Sequence, residues 1–182
     1  MVGSNNVTAQ TIETSYTRLI ACLDKLITRK GFVLGSRPSS ADFALYGQLT
    51  QLAIVEPTSA AITNEISPRI RAWIDLMDDL SGLPADDAGW VSRESASSDL
   101  HDLLCEIGRT YVPAMLANAA AIAAHRDSFE TLIDGRAWSQ PVFKYQAKCL
   151  DALKRAYALL TPSDRSAVAA ILADTGCGAL FE

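Results

Sequence analysis

The stretch GSRPSSADFALYGQL, Gly35 to Leu49, reads as the entry to a helix and sets how the rest of the chain is parsed. Ser39 stands where an N-cap belongs. Asp42, three residues on, can return a hydrogen bond to the cap's own backbone amide, and its charge suits a helix N-terminus. Pro38 and Phe43 occupy the two positions of a hydrophobic staple. These signals predict a helix through Leu45, Leu49 and Leu52 that Pro57 ends.

Working outward, Ile12, Tyr16, Leu19, Ile20, Leu23, Leu26 and Ile27 recur at helical spacing, so an amphipathic helix is expected from Thr8 to Thr28, stopped by Gly31. Phe32, Val33 and Leu34 make a short apolar link to Gly35. Downstream, Ser67 and Pro68 read as N-cap and first-turn proline of a helix carrying Ile70, Trp73, Ile74 and Met77 on one face, closed by Gly82 and Pro84. Residues 85–97, rich in Asp and Ser, read as a polar linker between residues 1–84 and an extension over residues 98–182.

In that extension Ser98 or Asp99 can cap a helix bearing Leu100, Leu103, Leu104 and Ile107, and Pro113 is expected to kink or divide it before the alanine-rich run to Ala124. FETLIDGRAWSQ, Phe129 to Gln140, predicts a short hairpin, because Asp134-Gly135 favours a type I′ turn. Pro141 is expected to start a helix with Tyr145, Cys149, Leu153, Tyr157 and Leu160 at helical intervals. Thr161, Pro162 and Asp164 cap a last one ending at Gly176. The fold class is mainly α, a single helical domain over residues 1–182 with one hairpin.

Composition bounds the function. The chain has 182 residues, enough for one domain with a real core, and 49% of them are hydrophobic. A net charge of -5 with interspersed signs leaves no basic stripe to neutralise phosphates, which argues against nucleic acid as a partner. The longest apolar run, Ala117 to Ala124 around Asn118, falls far short of the ~20 residues a bilayer needs, so no membrane partner is expected. MVGSNNVTAQ at the N-terminus has neither a cationic nor an apolar signal region, and a cytoplasmic location is expected. Cys22, Cys105, Cys149 and Cys177 are scattered singly, without metal-ligand spacing, and read as small buried hydrophobes; no metal is expected.

FVLGSRPSSADFALYGQLTQL, then Glu56-Pro57-Thr58, then SPRIRAWIDLM from Ser67 to Met77, resembles the C-terminal helical domain of glutathione S-transferases. Ser39 and Asp42 match that family's capping box, and Pro68 and Trp73 its later helix. DGRAW and FKYQAKCL, Phe143 to Leu150, are similar to the extended C-terminal region of some bacterial members. The likeness spans nearly the whole chain and is most specific from Gly35 to Met77.

The resemblance implies a module without the thioredoxin-like domain that holds glutathione and supplies the catalytic Tyr, Ser or Cys. Even the family's first C-terminal helix, upstream of a segment like Val2 to Asn5, is expected to be missing. No catalytic residue and no cofactor is therefore carried over, glutathione entering only with a separate thioredoxin-like domain. What the resemblance leaves is the wall that faces an apolar co-substrate, for which Phe43, Tyr46 and Gln48 are candidates, although their spacing fits helix core equally well.

Tyr145 and Cys149 share a helix face with Lys148 beside them, a setting for an activated thiol or for ordinary packing. His101 and His125 read as surface or capping residues. Asp78-Asp79 and Asp86-Asp87 read as solvated ends of structure rather than acid–base pairs. Three functions follow. One is a non-catalytic module that self-associates as a homodimer to cover an apolar flank around the Ser39 helix. Another is a fragment or subunit of a glutathione transferase. The third is a carrier of a small hydrophobic ligand between helices.

Overall fold

The computed structural model describes residues 4–84 and 86–182. Val2 and Gly3 of the segment upstream of the first helix, and Ala85 of the expected linker, lie outside the described residues. Seven α-helices and one two-stranded antiparallel sheet make up the described chain, so the fold is mainly α. It forms two compact units, one over Tyr16–Leu100 and the other from the described residues up to Ser15 together with His101–Glu182.

The Tyr16–Leu100 unit contains most of α1 (Ala9–Lys30), then α2 (Ser40–Thr50), α3 (Pro57–Ile66) and α4 (Pro68–Asp78). Its core is the stripe read from periodicity: Ile20, Leu23 and Ile27 pack with Leu49, Ile70 and Trp73. Three polar ties fix the helices. The Tyr16 hydroxyl and Thr63 Oγ1 share a hydrogen bond of 2.7 Å, Trp73 Nε1 donates to the Gly31 carbonyl at 3.1 Å, and the Ser67 hydroxyl donates to Asp24 at 2.5 Å. Gly31, with φ +89, lets the chain leave α1 in the left-handed conformation that a helix C-terminus favours.

One expectation is extended and one corrected in this unit. The helical run through Leu45, Leu49 and Leu52 stops at Val55, just before Pro57, and Pro57 in turn opens the next helix. Gln51–Val55 wind as a single π-helical turn, Glu56 caps α3 by accepting from the Ser59 amide at 2.6 Å, and proline sits in the first turn, where its missing N–H would have had no partner. The helix assigned to Ser98 or Asp99 begins earlier, at Arg93, and runs to Ala123 as α5. Asp99 lies within it and faces Lys30 Nζ at 2.9 Å.

In the other unit, Pro113 neither ends nor divides α5. Val112 and Met115 on either side of it are buried, and holding both turns against the core outweighs the lost backbone bond. Strands β1 (Ser128–Ile133) and β2 (Arg136–Pro141) pair in register from Ser128 opposite Pro141 to Ile133 opposite Arg136. Asp134 and Gly135 carry φ of 53° and 73°, the type I′ signature expected for that dipeptide.

Pro141 ends β2 instead of starting a helix; α6 spans Lys144–Ala158 with Phe143 as its N-cap. The cause is non-local. Buried Asn118 accepts from the Phe143 amide at 2.7 Å and donates to the Phe143 carbonyl at 3.0 Å, which keeps that backbone extended. The last helix, α7 (Pro162–Leu172), is capped by Thr161, whose hydroxyl oxygen accepts from the Asp164 amide at 3.1 Å. It stops short of Gly176 because Asp174 and Gly176 both turn left-handed, after which Cys177–Phe181 form a 3-10 helix.

Candidate functional site

The site is built from the start of α2. Ser39 holds an extended conformation, φ -112 and ψ 174, which sets it outside the helix as a cap. Asp42 is 0% exposed, and both its oxygens are engaged. Oδ2 accepts from the Ser39 amide at 2.8 Å and from the Ser39 hydroxyl at 2.6 Å, while Oδ1 accepts from the Val33 amide at 2.8 Å. The carboxylate therefore pins the link before α2 as well as the helix itself. Three donors on one buried carboxylate leave little capacity for a substrate, so this pair is a structural fastener.

Phe43, Tyr46 and Gln48 are not gathered into one wall. At 3.6 residues per turn, Phe43 and Gln48 stand about 140° apart and Tyr46 lies on the far side of Phe43 from Gln48. Phe43 is 52% exposed and Gln48 is exposed, whereas the Tyr46 hydroxyl donates a short hydrogen bond to Asp78 and ties α2 to α4. That bond to Asp78 pushes the Tyr46 phenol above its ordinary range.

Other apolar side chains are exposed here: Phe43 and Ala44 on α2, and Leu52, Ile54 and Val55 of the π-turn, with Val55 67% exposed. On the opposite side Leu49 and Ala53 are buried. Helical spacing predicts both sets as apolar but does not tell which faces inward. Leu49 and Ala53, four residues apart, share one face as α2 passes into the π-turn, and the π-turn itself has no sequence signal.

The second conspicuous group packs rather than converges. Tyr145 is 65% exposed and touches Phe143 with ring centroids 6.3 Å apart, Lys148 is exposed, and Cys149 is half-buried against the core around Leu150. Burial, then the nearby Cys149, pushes the Tyr111 phenol upward. His101 is exposed, with Nε2 3.5 Å from Cys105 Sγ, and His125 turns the chain beyond α5 with φ 54. The acidic pairs serve turns: Asp79 accepts from the Ser81 amide, Asp86 from the Ala88 amide, and Asp87 pairs with Arg37 at 2.8 Å. Among the described residues no group of three His, Cys, Asp or Glu could hold a metal ion.

One arrangement has no signature in the sequence. Gly35 pairs with Phe32 and with Trp90 in isolated bridges, and a Cβ on Gly35 would stand 1.9 Å from the Gly89 carbonyl oxygen. Arg37 lies over the Trp90 ring at 4.6 Å and completes the clasp. Two glycines this far apart along the chain carry no joint signal in one sequence.

Residues 9–76 match the family described as glutathione S-transferase, C-terminal domain, and this part of the chain is similar to that domain. The match covers α1 to α4 and does not reach the hairpin or α6. No curated protein and no solved structure matches the chain. Among the described residues no helix is long and apolar enough to cross a membrane.

Proposed function

We propose that this chain is a glutathione S-transferase C-terminal-type module that acts by docking, not by catalysis of its own, and that its simplest partner is a second copy. The observation that carries this reading is the exposure of four large apolar side chains on α2 and the π-turn after it, Phe43, Leu52, Ile54 and Val55, at 52, 37, 38 and 67%. Exposed apolar side chains held on helical backbone lose little conformational freedom when they are covered, and a surface used by identical chains closes as a two-fold dimer.

The side chains of α2 that could have served chemistry are spent on structure, Asp42 on three hydrogen bonds and Tyr46 on Asp78, which supports a non-catalytic role. We expect the chain alone to conjugate no glutathione to an electrophilic aromatic. Sedimentation velocity over a rising concentration series tests the proposal. The expected result is a monomer–dimer equilibrium that Val55→Asp together with Phe43→Asp abolishes while the far-UV spectrum is retained. A monodisperse monomer at high concentration, or dimerisation unaffected by the double substitution, defeats it.

A further inference from the structure

In the unit that holds the hairpin, α5 presents a pair of metal-ligating side chains to solvent. His101 and Cys105 lie four residues apart on an unbroken helix, so they project from the same face, one turn above the other. His101 Nε2 stands 3.5 Å from Cys105 Sγ. The imidazole is exposed and the thiol half-buried, so a dissolved ion reaches both. The other thiols of this unit are committed elsewhere: buried Cys177 donates its S–H to the Leu104 carbonyl at 3.2 Å, and Cys149 lies against the core around Leu150.

Imidazole and thiolate are ligands that suit zinc. A Zn–S bond of about 2.3 Å and a Zn–N bond of about 2.0 Å, meeting at a tetrahedral angle of about 109°, set the two ligand atoms about 3.5 Å apart. The pair already holds that separation, so an ion can take the place of the proton between the two atoms without any movement of α5. The metal binds the neutral imidazole and the thiolate, and the Cys105 proton leaves to solvent. The backbone that carries them is anchored through buried Glu106, Val112 and Met115 of the same helix, so mainly side-chain rotation is lost when the ion enters. Two protein ligands leave two positions of the tetrahedron to water, unlike a closed structural site. Mg²⁺ and Ca²⁺, which take oxygen ligands, gain nothing from this pair.

We propose that His101 and Cys105 form a two-residue zinc site on the surface of α5. Titration of the full chain, its thiols kept reduced, with Co²⁺ as a coloured substitute for Zn²⁺ tests it. The expected result is a saturable thiolate-to-cobalt charge-transfer band in the near ultraviolet, bleached by Zn²⁺ and untouched by Mg²⁺. Cys105→Ser is expected to remove the band, and His101→Ala to weaken Co²⁺ binding about tenfold or more. His101 is exposed, so its substitution leaves the fold intact and decides the matter even if Cys105→Ser alters the far-UV spectrum. Absence of a charge-transfer band, a band that survives Cys105→Ser, an affinity unchanged in His101→Ala, or bleaching by Mg²⁺ would each overturn the assignment. Neither residue lies on α2 or the π-turn, so failure of this site and failure of the dimer are distinguishable.

Discussion

Replacing Asp42 by asparagine tests how α2 is held, because the change keeps the side chain's shape and removes one acceptor. In Asp42→Asn the best rotamer keeps the amide oxygen on the Val33 N–H and turns the NH₂ toward Ser39, whose hydroxyl can reverse and accept. The Ser39 backbone N–H, now 2.8 Å from Oδ2, cannot reverse; it is left facing a donor in a site with no exposure. An unsatisfied buried donor costs about 1–3 kcal/mol, and loss of a negative charge at the helix N-terminus adds roughly 0.3–1 kcal/mol. A loss of about 1.3–4 kcal/mol is therefore expected from the two together. Equilibrium urea unfolding followed by circular dichroism measures it. If Asp42→Asn unfolds within about 0.5 kcal/mol of the parent, the usual scatter of inert surface changes, the carboxylate is not the fastener described.

Other expectations concern glycines and acid. Gly108 sits inside α5, where a Cβ would meet the Thr175 carbonyl oxygen at 1.9 Å; Gly47 in α2 has nothing within 4 Å. Gly47→Ala should stabilise by about 0.5–1 kcal/mol, whereas Gly108→Ala should destabilise by about 1–3 kcal/mol despite the same gain in propensity; thermal midpoints of opposite sign check both. Asp99 is held below the usual carboxylate range, first by Lys30, and Glu56 by the Ser59 amide and hydroxyl. A depressed folded value stabilises above the unfolded value near 3.9–4.3 and loses that contribution as pH falls through the folded one. Urea midpoints should therefore drop with acid below about pH 4, less steeply in Asp99→Asn.

The parts of the fold legible in the sequence are those whose cause lies within four residues. Ser39 with Asp42, Ser67 with Pro68, and Asp134-Gly135 each specify a local backbone shape, and their elements stand where local chemistry puts them. Proline is ambiguous because one residue type serves two ends. Pro57 and Pro141 each stop one kind of backbone and permit another, and the choice falls to Glu56 in the first case and to Asn118, 25 residues away from the Phe143 it holds, in the second. Phe43, Tyr46 and Gln48 diverge by helical spacing alone, which the sequence carries, whereas the tie of Tyr46 to Asp78 across 32 residues has no local signal. Periodicity finds apolar faces but does not rank two of them, so the exposure of Val55 becomes visible only with burial.

The clasp at Gly35 is asymmetric. At Gly35 both a φ of +136 and a carbonyl wall forbid any side chain, but at Gly89 the nearest obstacle is the Ser36 hydroxyl, at 2.7 Å, which can swing aside. Drift is therefore open on one strand of this crossing and shut on the other. In a library randomised at both sites, survivors should keep glycine at the first while the second diversifies toward small residues.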